Sequence, residues 1–173
     1  MKYQNCVAVA QAPDASFDLG AGLRLEDANI NPSTGLATDY LNRFNEAVML
    51  LDMLATCPEF RDDFLSWEPM SYREHFRVSR SRIRDLAIAA YETADPNVRS
   101  GLDTLAATMT VVLEATRAAM SSDLKPETIA ALAGNAVGWL KPMIARAGGI
   151  INGDEEVTRA ASPQAIVDQL MKR

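Results

Sequence analysis

Between residues 41 and 55 the apolar positions Leu41, Phe44, Val48, Leu51 and Leu54 or Ala55 recur at intervals of three and four, the spacing of one buried helical face. Thr38 ahead of them is a good N-cap and Asp39 suits the positive end of a helix, so the stretch DYLNRFNEAVMLLDMLAT is predicted to be helical. The same period returns in Val98, Leu102, Leu105, Met109, Val112, Thr116 and Ala119, behind an Asp95-Pro96 start in which aspartate caps and proline opens the first turn. The other positions of that segment are mostly Ala and Thr, so the helix is apolar nearly all round and is expected to be central or at a subunit interface. Pro126 opens a further helix, ETIAALAGNAVGWLKPMIARA, where Ala130, Gly134 and Gly138 are spaced by four and predict close approach of a neighbouring backbone. Pro142 is expected to kink or end it, and Gly148-Gly149 to supply a flexible stop.

Shorter signals lie between and beyond these. Pro58 closes the first helix and opens PEFRDDFLSW, and Ser71 with Glu74 forms an S-x-x-E capping box that starts a helix from Tyr72 to about Thr93. On one continuous helix Tyr72, Phe76, Ile83, Leu86, Ala87 and Ala90 form an apolar stripe, with Tyr72, Phe76 and Ile83 expected against the first helix. Arg73, Arg77, Arg80 and Arg84 form a second stripe beside it, with Tyr91 in line. Asp154 is placed to cap a short turn, and Ser162-Pro163 to start a terminal helix carrying Ile166, Val167 and Leu170. No segment alternates with the period of a strand, so the expected fold is an all-α, single-domain bundle of five to seven helices occupying residues 38–173.

Residues 1–37 read differently. Their Pro, Gly, Asn, Asp and Ser keep no period, which predicts an irregular arm packed on the bundle through Phe17, Leu19, Leu23, Leu25 and Ile30. Asp27, Asn29 and Asn31 have the first three spacings of a calcium loop. However, Pro32 stands where that loop needs glycine and Thr38 where it needs a bidentate glutamate, so an Asx turn leading into the helix is expected instead.

Composition narrows the function classes. A length of 173 residues supports one ordinary core, and 48% apolar with 23% charged residues is the balance of a globular chain. The net charge of −6 argues against general attraction to nucleic acid or anionic lipid. No run approaches the ~18 apolar residues of a membrane span. The apolar run after the start, Cys6 to Ala10, is shorter than a secretory core, and Cys6 and Cys57 have no metal-type spacing. A cytoplasmic protein with no cofactor and no metal is the expectation.

Candidate chemistry is sparse. His75 is the single histidine, and a phosphoacceptor histidine normally has small residues after it, whereas here Phe76 follows; a structural histidine is expected. Arg73, Arg77, Arg80 and Arg84 suit phosphate or carboxylate groups. The expectation nevertheless favours their pairing with Glu59, Asp62, Asp63 and Glu68 on the preceding short helix and turn. Asn42 and Asn45 with Glu46 give the first long helix a polar stripe, expected to be solvated. No nucleophile has a base to serve it, and AGGIING follows a helix without the strand context of a nucleotide loop. The sequence therefore points to a non-enzymatic interaction protein, adaptor or regulatory, acting with a protein partner and as a homodimer. The alternative is a module that binds an anionic small molecule or a phospho-signal along the 72–84 segment.

Overall fold

Cap chemistry sets where the helices begin. In the computed structural model, which describes residues 24–54, 56–80, 83–154 and 156–157, the Ser71 side chain accepts from the Glu74 N–H while Glu74 bonds back to the Ser71 N–H at 2.8 Å. Asp95 accepts from the N–H groups of Asn97 and Val98, at 2.8 and 3.2 Å, with Pro96 in the first turn. Both arrangements satisfy amides that a helix start leaves without partners. The described residues contain six α-helices and no strand, an all-α bundle: α1 (Asn42–Met53), α2 (Phe60–Leu65), α3 (Tyr72–Val78), α4 (Arg84–Thr93), α5 (Pro96–Met120) and α6 (Pro126–Ile151). None of them is long and apolar enough to cross a membrane.

The two longest helices, α5 and α6, form a hairpin, and α1 packs along α6 with the 3-10 turn Thr38–Leu41 that leads into it. Helix α2 bridges α1 and α5, while α3 pairs with α4. The core runs through Phe44 and Leu51 of α1, Phe64 of α2, Leu102, Met109 and Leu113 of α5, and Leu140 and Ile150 of α6, all fully buried. Each such side chain contributes about 1.5–3 kcal/mol of hydrophobic stabilisation.

Residues 24–37 are tied down as a hairpin-like strap. Ile30 bridges Ala37, and Asn31 makes an Asx turn in which its Oδ1 accepts from the Ser33 N–H at 2.9 Å. Gly35 takes a φ of +69° and passes so close to α4 that a β-carbon would lie 2.8 Å from the Ala90 carbonyl oxygen. The buried Thr34 hydroxyl donates to the Ile151 carbonyl at 2.7 Å, filling one of the acceptors left over at the end of α6. That helix stops at Gly153, φ +78°, where the N–H groups of Gly153 and Asp154 return to the carbonyls of Ile150 and Gly149. Asp154 then caps a turn through Glu156 and Val157. Phe17, Leu19 and Leu23 of the arm, the secretory-like start, and the expected terminal helix with Ile166, Val167 and Leu170 lie outside the described residues.

Several expectations are corrected. Thr38 opens a 3-10 turn and makes no side-chain cap bond. The single helix from 72 to 93 is two helices: α3 ends at Val78, Ser79 is extended with ψ 136°, and α4 starts at Arg84. Between Phe76 and Ile83 the apolar stripe has nothing to bury, and arginines at 77, 80 and 84 repel one another at helical spacings. Ile83 is only partly buried, and helix α3 packs mainly on the 38–41 turn and α4, Tyr72 meeting Tyr40 of the turn and stacking on Tyr91 of α4.

Helix α6 runs through both Pro142 and Gly148-Gly149. The N–H that Pro142 lacks would have bonded to the carbonyl of Gly138, and both residues are exposed, where water is available to that acceptor. Gly149 serves a contact, since a β-carbon there would meet Val157 at 3.2 Å. Gly134 and Gly138, by contrast, have nothing within 4 Å of an added β-carbon, so they are not close-packing points within the chain. Helix α5 is not central: it buries Gly101, Leu102, Ala106, Met109, Leu113, Thr116 and Met120 and turns Thr104, Ala107, Thr108, Val111, Ala115 and Ala118 to solvent.

Candidate functional site

The residues singled out from sequence do not converge. Asn42, Asn45 and Glu46 lie exposed along α1, where Glu46 forms a 3.4 Å ion pair with Arg43. Arg77 is exposed on α3 and Arg80 in the linker after it, while Arg84 pairs with its neighbour Asp85 at 3.0 Å. The break after Val78 removes the shared helical face that would have made Arg73, Arg77, Arg80 and Arg84 one clamp. None of these arginines pairs with Glu59, Asp62, Asp63 or Glu68 among the described residues. Arg73 instead approaches Glu92 at 3.5 Å, and Glu68 offers its backbone carbonyl to Arg43 at 2.7 Å.

His75 sits half-buried on α3, meeting the rings of Phe76 and Tyr40 edge-on at centroid distances of 4.9 and 5.8 Å. Burial first, and then the nearby Arg43 guanidinium, hold its pKa below the ordinary histidine value, with Asp39 opposing them in part. The imidazole is a packed aromatic in this setting. Among the described residues no group of His, Cys, Asp and Glu gathers closely enough to hold a metal ion.

One arginine of the stripe does enter a shaped place. The start of α3, the chain leading into it, Tyr91 of α4 and one flank of α5 enclose an open groove of about 860 Å³. Tyr91 is its hub. The ring stacks on Tyr72 at 4.5 Å and 16°, and Tyr72 in turn contacts Tyr40 at 5.2 Å. The Tyr91 hydroxyl donates to the Asp103 carboxylate, at 2.8 and 2.9 Å from its two oxygens. The guanidiniums of Arg73 and Arg99 stand 5.7 and 5.6 Å from the ring centroid, within cation–π range. Burial, followed by the Asp103 hydrogen bond, pushes the Tyr91 hydroxyl up to about 12, and burial raises Tyr40 and Tyr72 as well. These phenols are neutral at physiological pH and act as hydrogen-bonding spacers, not as bases.

The lining also includes Pro69 and Met70 from the chain before α3 and Ala106, Ala107, Thr110 and Val111 of α5, with Val111 64% exposed. Sequence pattern set Tyr91 in line with Arg73 along one continuous helix; their ring contact arises instead from the break between α3 and α4, and Arg99 and Asp103 were missed because each looked like an ordinary charge on a long helix. The signal that unites them is their spacing of four, one turn apart on α5, opposite Tyr91.

No family model matches the chain, and no curated protein and no solved structure matches it either.

Proposed function

We propose that the protein is a non-enzymatic helical interaction protein that acts as a homodimer through the outer surface of the α5–α6 hairpin. The observation that carries this reading is an uncharged belt. Residues 104–113 of α5 and 128–140 of α6 contain no charged side chain, and the two stretches lie beside each other in the antiparallel hairpin. Within the belt Trp139 is 59% exposed. The empty space beside Gly134 and Gly138 offers a shallow surface on which another helix can lie closely. Helix α6, with 26 residues, is about 39 Å long. With α5 alongside, the whole outer face of the hairpin measures roughly 800 Å², the area per partner of a standard interface, and the uncharged belt, about 20 Å of that length, forms its centre. The net charge of −6 opposes indiscriminate association with nucleic acid, and two distant cysteines fit a reducing cytoplasm, with Cys57 a free thiol.

Sedimentation velocity at micromolar concentration is expected to give a dimer. Trp139→Glu and Gly138→Arg, both at positions open to solvent in the single chain, are expected to give monomers with melting temperatures no lower than that of the parent diluted to monomer. A parent that sediments only as monomer refutes the reading.

A further inference from the structure

We infer that a second recess, lying between the strap 24–37 and helix α4, binds a small amine, one ammonium group on an apolar body of about eight carbon atoms. The inference is independent of the dimer, since no residue of α5 or α6 lines the recess.

Side-chain size makes the room. Gly35 presses the strap backbone onto Ala90 of α4, and the helix lines the space mainly with Ala89, Ala90 and Ala94, which carry nothing beyond a β-carbon. Leu25, Pro32 and Leu86 add to an apolar lining around about 230 Å³. The strap is held in place there: the buried Thr34 bonds to the Ile151 carbonyl, and the Ser33 hydroxyl donates to Asn31 Oδ1 at 2.7 Å. A cavity of about 150 Å³ accepts benzene, so in proportion this one takes about nine non-hydrogen atoms, the size of a small molecule.

The polar groups of the lining decide the charge. Ser33, Thr34 and Thr93 each spend the hydroxyl proton inside the protein, Thr93 on the carbonyls of Ala89 and Ala90 at 3.1 Å, so no side chain of the lining has a donor to spare. Asp95 is the one acidic or basic residue of the lining. Its Oδ1 accepts from the N–H groups of Asn97 and Val98, while its Oδ2 accepts no hydrogen bond among the described residues. Those amides are neutral donors and leave the negative charge in place, and among the described residues no ion pair offsets it. Neither Arg99, the next cation along α5, nor Arg24, beside Leu25, lines the recess. An ammonium group supplies both things the lining lacks, donors and positive charge, whereas a carboxylate would meet a like charge and no side-chain donor.

The test is a titration of the isotope-labelled full chain, followed by amide NMR shifts, with phenethylamine, with phenethyl alcohol, which has the same size without the charge, and with phenylacetate, which reverses it. Saturable shifts are expected at Thr34, Gly35, Ala90 and Ala94 and not at Trp139. Phenethylamine should bind at least about threefold more tightly than the alcohol, the margin of an ion pair to an exposed carboxylate, with phenylacetate the weakest. That margin should shrink as salt rises. Asp95→Asn keeps a capping side chain and removes the charge, so it is expected to bring the amine to the affinity of the alcohol with the melting temperature near that of the parent. Ala89→Leu fills the recess and is expected to loosen amine and alcohol alike by about tenfold or more. Should Ala89→Leu disturb the fold, the shift map and Asp95→Asn carry the test. Equal affinity for amine and alcohol, tighter binding of phenylacetate, an amine preference that survives Asp95→Asn, or absence of saturable shifts at the recess overturns the inference. Methylamine binding as tightly as phenethylamine overturns its apolar half.

Discussion

Arg61 on the short helix α2 holds the corner between the two longest helices, and removing its guanidinium tests how that corner is built. Its Nε donates to the Met120 carbonyl at 3.0 Å, and its Nη2 donates to the same oxygen and, at 2.7 Å, to the Ser122 carbonyl. Met120 is the last residue of α5, whose final carbonyls have no helical amide to meet. Nearby, Ser121 serves the others: its N–H reaches the Ala118 carbonyl and its hydroxyl the Arg117 carbonyl. Arg61→Met keeps most of the aliphatic stem and removes the donors. A charged donor to a partly buried carbonyl contributes about 1.5–3 kcal/mol, and water entering beside the exposed Ser122 returns some of it, so the expected loss is about 2 kcal/mol. For a chain of this size that lowers the melting temperature by about 4–8 °C. Urea unfolding should show a reduced midpoint at unchanged slope. Arg61→Lys, a single point of charge unable to span two carbonyls, should recover only part of the loss. If Arg61→Met lies within about 0.5 kcal/mol of the parent, the range of an ordinary surface substitution, the guanidinium does not hold the corner.

Two further outcomes follow from burial and backbone geometry. Because the His75 pKa is depressed in the fold, the unfolded chain binds the proton more readily; the stability this histidine contributes is complete above about pH 6.5 and is lost as the pH falls from there toward the folded value. Urea midpoints between pH 8 and pH 5 should therefore fall less in His75→Leu than in the parent, in a window clear of Glu74, whose capping-box carboxylate loses its contribution only below the ordinary carboxylate range near 4.5; parallel profiles would exclude His75 as the cause. Gly134→Ala, in open space on a helix, should raise stability by about 0.5–1 kcal/mol in dilute solution, whereas Gly35→Ala should destabilise by more than that, because its φ of +69° disfavours any side chain and its β-carbon meets the Ala90 carbonyl.

How far the fold was legible depends on whether a signal was local. The Asp95-Pro96 start, the Ser71/Glu74 capping box and the Asn31 Asx turn are contacts between residues two or three apart, and each appears where the sequence put it. The buried face of α5 was read with the wrong phase at several positions: Val98, Leu105 and Val112 are half-covered, while Ala106, Leu113 and Met120 are buried. An Ala- and Thr-rich helix is apolar in every direction, so the centre of its buried face is fixed by which neighbours arrive, here α6 and α2. Arg61 was illegible for a related reason. Its acceptors are backbone carbonyls 59 and 61 positions away, and nothing in their side chains announces them.

The arginine-rich stretch SYREHFRVSRSRIRD shows the two limits together. Its capping box and its apolar pair Tyr72 and Phe76 are strong enough to nucleate a helix, which is why α3 forms with both rings buried. The next apolar position on the same stripe is seven residues on, at Ile83, and with serine and like charges between them no packing energy carries the helix across the gap. Breaking there turns α4 so that Tyr91 stacks on Tyr72, and that stacking, with the Asp103 hydrogen bond, brings Arg73 and Arg99 over one ring. The pair of guanidiniums that equips the groove thus arises from the failure of the stripe as a helix: an unbroken helix would have set Arg73 in a row with Arg77, Arg80 and Arg84, and nineteen residues of straight helix would separate it from Tyr91 by about 27 Å.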